Sequence, residues 1–436
     1  MNTKARHFMF VSAIILFLIL TTGLSIFASG YRFNWQAVGG WRNLLIKTGS
    51  ILIESEPKGA TVSLEQIHGH YLPLEKKTAD EKKTPFKLNN LRPGEYLITL
   101  DLKGYLPYQK KIRIEPAMTT VLSELVLFKN CLPMLVLPTT SDDFTYHPNG
   151  RYLALPQEEI IFNLNAEKNV AKINREAKVN WSNDNQASEG ARIINLEQGV
   201  VTDYTALLGK TDSGQLSGNT LIYLQNGALN VLETNTKKIK TLEVGGEVLA
   251  YEVNDDILIT LINQNEQSKL KFIDYKNNNS LKETKLLKAD HWSLKKENQS
   301  LILRDNDHKI TYLIDIRDQE IKHLLRDSDQ TVFLNSNELA YARGSEIHLY
   351  NLNSKKDSLL TRLGAELSGL AAGPSGHLIY ATTQELGILN LNDPKHETAI
   401  LFSGTAIKHL NFEKNSNSIY FFAEIGVNKG LYKIEL

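Results

Sequence analysis

Between Cys131 and Leu436 the sequence keeps returning to one pattern: an aromatic strand end, a polar turn, then two alternating apolar strands. Phe144, Trp181, Trp292, Phe333, Leu370 and Phe412 head the readable copies. The spacing is regular, with 37 residues from Phe144 to Trp181 and 41 from Trp292 to Phe333. Steps of 37 to Leu370 and 42 to Phe412 follow. The 111 residues from Trp181 to Trp292 hold three such steps, with weaker copies placed around Thr220–Tyr223 and Leu249–Glu252. A period near 40 with four short strands per unit predicts a seven- or eight-bladed β-propeller. A solenoid of stacked sheets is the rival arrangement, because it too arises from short repeats.

A propeller limits its exposed sheet edges by closing into a ring. The last unit, running from Ile407 to Ile434, supplies only three strands. Met134-Leu135-Val136-Leu137, at the other end of the region, is a spare strand of the right length. The expectation is that it completes the final blade.

The other end of the chain obeys different physics. An uncharged run from Phe8 to Gly30 follows Lys4, Arg6 and His7. About 20 apolar residues suffice for a helix to cross a hydrocarbon core roughly 30 Å thick. The run therefore reads as a single transmembrane anchor, with Phe8, Ile15, Leu20 and Phe27 along it and the lipid bilayer as its partner. A secretory signal peptide is the competing reading: its apolar region is shorter, about 7–15 residues, and Ala28-Ser29-Gly30 offers a small-residue cleavage site. Lys4 and Arg6 favour a cytoplasmic N-terminus. That orientation places the bulk of the chain outside the cytoplasm. Tyr31, Phe33, Trp35 and Trp41 just beyond the run suit either an interfacial aromatic belt or a loop packed on the next domain.

From Gly49 to Lys129 alternation replaces the apolar run. Ile51–Ser55, Thr61–Glu65, Tyr96–Leu102, Gln109–Glu115 and Thr119–Leu127 read as strands, and Pro57-Lys58-Gly59-Ala60 and Leu91-Arg92-Pro93-Gly94-Glu95 read as turns. Gln66–Lys83 is mostly polar and charged, without sustained apolar periodicity, and reads as a long hairpin loop. Short strands separated by turns predict a small antiparallel β-sandwich. Gly59 and Gly94 are placed where φ > 0 is needed, and Pro57 and Pro93 stiffen turn entry.

These residues resemble the PEGA domain family. Pro57, Gly59, Ala60 and Val62 match its first half; Thr84-Pro85, Leu91, Pro93-Gly94, Tyr96 and Gly104-Tyr105 match its second. Lys58 departs from the family's glutamate, and the Gln66–Lys83 loop is longer than the family's usual turn. The resemblance implies an extracytoplasmic β-sandwich module of prokaryotic surfaces without a catalytic constellation. More loosely, the Trp181-Ser182-x-Asp184 start is similar to blades of TolB-type and WD-repeat propellers, which implies architecture and no function.

Chemistry-bearing motifs dissolve on inspection. His68-Gly69-His70 supplies two imidazoles where a closed zinc site needs four ligands. Asp305-Asn306-Asp307 opens like a calcium loop, but Ile310 and Ile316 occupy the positions of its glycine and glutamate. Ser375-Gly376-His377 and Asp142-Asp143 with His147 hold triad-type residues without a nucleophile elbow. Gly209-Lys210-Thr211 lacks the first glycine of a phosphate loop. Lysines and arginines number 49 against 49 aspartates and glutamates, so bulk charge points away from nucleic acid. The single cysteine, Cys131, excludes an internal disulfide framework and reads as a small buried residue at a domain junction.

The sequence thus divides into an N-terminal segment with anchor (1–30), a juxtamembrane linker (31–48), a PEGA-like sandwich (49–129) and a propeller (130–436). The expected protein is non-enzymatic: a surface scaffold or binding module for protein, glycan or envelope polymer, with no cofactor and no bound metal. Two other readings stay open, a propeller enzyme of lyase or glycosidase type and a sensor subunit working through a separate signalling partner.

Overall fold

The computed structural model describes residues 3–33, 45–67, 76–77, 82–141, 143–175, 178–297, 300–374, 376–393, 396 and 398–436. It separates into two compact units, Met1–Cys131 and Leu132–Leu436.

In the first unit a helix spans Thr3–Ala28. Its stretch from His7 to Ala28 has a mean hydropathy of 2.5 and is wholly unburied. At 1.5 Å per residue those 22 residues reach about 33 Å, enough to cross a bilayer core. Phe8, Ile15, Leu20 and Phe27 are all exposed. The polar side chains inside the run are satisfied locally: Ser12 Oγ donates to the Phe8 carbonyl at 2.8 Å and Thr21 Oγ1 to that of Phe17 at 2.7 Å. Such back-bonding removes the cost of a bare hydroxyl in an apolar medium. Beyond the helix, Tyr31–Phe33 pairs antiparallel with Leu45–Lys47. Arg32 lies 3.6 Å over the Phe27 ring. Trp35 and Trp41 lie outside the described residues.

Two sheets follow. One holds Phe86–Leu91, Gly49–Glu56 and Thr119–Val126; the other holds Lys76–Lys77, Thr61–Ile67, Gly94–Asp101 and Tyr108–Ile114. Every second residue points inward, so Ile51, Ile53, Val62, Leu64, Ile98, Leu100 and Ile114 form one core. The antiparallel pattern is interrupted once, where Gly49–Glu56 and Thr119–Val126 run parallel. The domain's first and last strands meet there after the chain has changed sheets, and no hairpin joins them. The segment read as a loop contributes Lys76–Lys77, which pairs with Leu64 and Glu65; residues 68–75 and 78–81, His68 and His70 among them, lie outside the described residues. Phe86–Leu91 is a strand that alternation did not reveal, because Lys87, Asn89 and Asn90 dilute its apolar positions.

In the second unit the described residues form eight sheets, each of four antiparallel strands. Their first strands are Thr145–Tyr146, Val179–Asn183, Ser213–Ser217, Glu247–Asn254, Trp292–Glu297, Gln330–Asn335, Leu367–Ala372 and Thr405–Glu413, which define blades 1 to 8. Met134–Pro138 pairs with Asn428–Glu435 and supplies the fourth strand of blade 8, closing the ring with a segment from the region's start. The apolar clusters straddle neighbouring blades. Ile259 and Phe272 of blade 4 pack with Leu301 and Tyr312 of blade 5, and Tyr420 and Phe422 of blade 8 pack with Leu153 and Phe162 of blade 1. The core is therefore a ring of inter-blade seams. The weak copy placed at Thr220–Tyr223 sits on the second strand of blade 3, since Ser213–Ser217 holds the innermost place. Its sequence, Ser213-Gly214-Gln215, lacks the aromatic signal of the other blades.

A second regularity ties the blades. The last residue of the third strand is usually Asn or Asp, and its side-chain oxygen accepts amides of the turn that follows. Asn195 accepts from Glu197 and Gln198 at 3.1 and 2.9 Å; Asp274 accepts from Lys276 and Asn277 at 3.0 and 3.1 Å. Asp315 and Asn351 repeat the device. These side chains substitute for backbone acceptors and fix each tight turn.

Candidate functional site: the propeller channel

The innermost strands of all eight blades line one channel of about 760 Å³. Its wall is asymmetric. Blades 1 to 5 supply every charged lining residue, Asp184, Glu252, Lys295, Lys296 and Glu297, with His147, Asn180 and Gln215 and interspersed apolar residues such as Val179, Leu216, Val253 and Leu294; blades 6 to 8 supply mainly Val332, Phe333, Leu370, Leu410 and Phe412, with Asn411 as the polar exception. A charged arc thus faces an apolar one.

Most polar groups in the charged arc are committed to holding blades together. His147 is buried; its Nδ1 accepts the Asn149 amide at 3.0 Å and its Nε2 faces the Asn183 carbonyl at 2.9 Å. That pair of bonds defines one neutral tautomer, and burial pulls the imidazole below its ordinary pKa. Trp181 meets the His147 ring edge-on at 4.9 Å. Asn180 Nδ2 donates to the Gly214 carbonyl at 2.9 Å, joining blades 2 and 3. Asn411 Nδ2 donates to the Gly150 carbonyl at 3.1 Å, joining blades 8 and 1.

Gln215 is the pin between blades 3 and 4. Its Oε1 accepts the Val253 amide at 2.9 Å, while its Nε2 donates to the Tyr251 carbonyl at 3.2 Å and to Glu252 Oε2 at 3.3 Å. Glu252 is half-buried within the channel, and desolvation pushes its carboxyl up to about 7 despite Lys296, the Gln215 bond and Lys178, which oppose it. Lys295 pairs with Glu297 at 3.3 Å. Among the described residues, Lys296 has no hydrogen-bond or ion-pair partner within contact distance. Lys296 is thus, among the described residues, the unpaired charge on the wall, beside two buried polar atoms without a hydrogen-bond partner, Trp181 Nε1 and Ser182 Oγ.

The predicted blade starts fall at or beside this wall. Trp181, Trp292, Phe333, Leu370 and Phe412 lie on first strands of their sheets, and Phe144 immediately precedes that of blade 1. Trp181, Phe333, Leu370 and Phe412 line the channel; Trp292 instead donates its Nε1 to the Ala289 carbonyl at 2.8 Å. The PEGA-type residues serve a turn. Thr84 Oγ1 accepts the Gly59 and Ala60 amides at 3.1 Å each and bonds Ser55 Oγ at 2.5 Å. One buried hydroxyl thereby joins two motif halves 25 residues apart. Gly59 and Gly94 adopt φ of +95° and +152°. Ala60 and Val62 are fully buried, Tyr96 donates to the Arg92 carbonyl at 2.9 Å, and the Gly104 carbonyl accepts the Asn130 amide at 2.9 Å. Tyr105 bridges to Lys129; Pro57, Pro85 and Pro93 flank the turns.

The remaining motifs are architectural. Asp305, fully buried, accepts from the Asp307 and His308 amides and from His308, so the calcium-like segment is a hairpin. Gly209 ends a four-residue helix, Thr205–Leu208. Asp142 and Ser375 lie outside the described residues. Cys131 is half-buried rather than buried. Among the described residues no cluster of His, Cys, Asp or Glu has the arrangement of a metal site. Sequence reasoning missed Gln215, Glu252 and Lys296. The signal was their position on the first strand of each repeat unit, legible only once the two weak copies are in register.

Residues 48–127 match the profile of the PEGA domain. No curated protein matches the chain. Among solved structures, the C-terminal WD40 domain of Sif2 is similar at 10% identity, covering 70% of this chain and 99% of that one, with a TM-score of 0.48. The Dos1 propeller is similar at 11% identity over 70% and 95%, with a TM-score of 0.48. A eukaryotic initiation factor is similar at 12% identity over 71% and 90%, again with a TM-score of 0.48.

Proposed function

We propose that this PEGA-domain protein is a membrane-anchored binding module, non-enzymatic, whose propeller channel takes a protein, glycan or envelope-polymer ligand outside the cytoplasm. The observation that carries the reading is the channel itself: a cavity lined by every blade, charged on one arc and apolar on the other. Ligand sites combine an apolar wall with a few placed polar groups in this way. Full-length protein in detergent, tested against arrays of envelope glycans and peptides, is expected to bind. Ala372→Trp, which fills the channel from its lining, is expected to weaken that binding at least tenfold. Binding to no envelope component, or binding indifferent to the plug, overturns the reading.

The uncleaved helix is part of the same proposal. An exposed apolar run of 22 residues exceeds the roughly 7–15 of a signal peptide. The mature protein is expected to retain its first 30 residues and to stay in the membrane pellet after carbonate extraction. A released form beginning near Tyr31 would show that the helix is a cleaved leader.

A further inference from the structure

We infer that the channel binds an acidic polypeptide segment whose carboxylate sits on Lys296 while its apolar side chains lie on the opposite arc, in competition with the internal carboxylate of Glu252. The inference rests on the channel being the ligand site and adds what the ligand is and what regulates it. Lys296 lies on the first strand of blade 5 and is half-buried; among the described residues nothing hydrogen-bonds its ammonium. A partly desolvated cation without a close partner attracts an anion more strongly than a solvated one. The neighbouring Lys295 differs, because Glu297 already pairs with it at 3.3 Å and it is largely exposed.

The groups that face Glu252 are known. Lys296 comes from blade 5, Lys178 from the start of blade 2, and Gln215 from blade 3; Tyr251, its chain neighbour, is turned to Ser213. When Glu252 is ionised it lies in the field of both lysines and offsets part of their charge. When it carries a proton, Lys296 presents its full charge to the channel. Acidification through the neutral range therefore strengthens an anion site here, opposite to the behaviour of a site built on a free carboxylate.

Polypeptide is favoured over glycan by the apolar arc. Sugars present flat C–H faces that suit open aromatic rings. Here Phe333 is buried to 8% exposure, Trp181 stands edge-on to His147, and the half-buried surface of the arc is mostly aliphatic, with Val332, Leu370, Ala372 and Leu410 beside the single ring of Phe412. Branched aliphatic walls suit apolar side chains.

The test is fluorescence anisotropy of the full chain in detergent with a labelled peptide alternating glutamate and valine, beside its glutamine–valine counterpart and polygalacturonate. Binding of the acidic peptide is expected to be about tenfold tighter at pH 6 than at pH 8. Lys296→Gln is expected to abolish the preference for glutamate over glutamine, and Lys295→Gln to leave it intact. Glu252→Gln is expected to bind tightly at both pH values. Circular dichroism melts confirm that each variant is folded; should Lys296→Gln unfold, Lys296→Arg, which keeps the charge, is expected to retain the preference. Polygalacturonate binding in preference to the peptide, a pH dependence that persists in Glu252→Gln, or indifference to Lys296→Gln overturns the inference. If the channel plug Ala372→Trp blocks a neutral ligand while the acidic peptide never binds, the channel reading survives and this one falls.

Discussion

Replacing Gly430 by valine is expected to lower the propeller's thermal midpoint by roughly 3–6 °C, from a loss of about 2–4 kcal/mol in a domain of this size. Strand propensity alone argues the other way, since valine favours β structure where glycine weakens it. Sterics decides. A Cβ at Gly430 would fall inside contact distance of the Leu137 carbonyl oxygen and 3.0 Å from both Leu135 Cδ1 and Pro138 Cα. All three atoms belong to the strand Met134–Pro138 that closes blade 8. The two strands must separate or bend, and blade 8 then presents an open edge. Gly426→Ala is the matched control: its φ of +62° strains any side chain, but nothing lies within 4 Å of its Cβ, so about 1–2 kcal/mol is expected. Calorimetry distinguishes them. If both substitutions shift the transition equally, the Met134–Pro138 pairing is not what holds the ring.

The parts of the fold that were legible in the sequence are those where one residue type has one physical use. Phe8–Gly30 is an unbroken uncharged and mostly apolar run, and a long apolar helix uses it. Pro57-Lys58-Gly59-Ala60 is a turn because the chain there needs φ of +95° at Gly59, and Thr84 reaches across to cap it. The spare strand at Met134 was legible by subtraction, because a period near 40 calls for about four strands per unit and the last unit supplies only three. What was illegible is equally specific. Blade 3 opens with Ser213-Gly214-Gln215, where inter-blade pinning through Gln215 and the close approach of Gly214 to the Gly190 carbonyl replace aromatic packing. Gln215 and Glu252 are polar residues on strands, and nothing local separates a channel residue from a solvent-facing one. Their role depends on two strands 37 residues apart lying side by side, which a single pass along the chain does not display.

Glu252 also predicts how the fold answers to pH. Its carboxyl is raised from an ordinary 4.5 to about 7, with desolvation as the leading cause. Between those values the native protein holds a proton that the unfolded chain has released. Stability linked to this group is therefore fully present below about pH 4.5 and is lost as pH rises through about 7, with a ceiling near 3 kcal/mol. His147 acts with the opposite sign: its imidazole is depressed by burial, so protonation of the unfolded chain costs stability as pH falls through the ordinary histidine range. The raw profile sums the two and can look flat, which is why the informative quantity is a difference. Glutamine at 252 keeps an oxygen for the Gln215 amide and removes the titration. Denaturant unfolding at intervals from pH 4.5 to 8 is expected to show Glu252→Gln gaining on the wild type by about 2–3 kcal/mol across the window. Parallel profiles would mean that Glu252 is hydrated in the channel and ionised like any surface carboxylate; it would then offset Lys296 at pH 6 and pH 8 alike, and the same result would remove the pH dependence of the anion site.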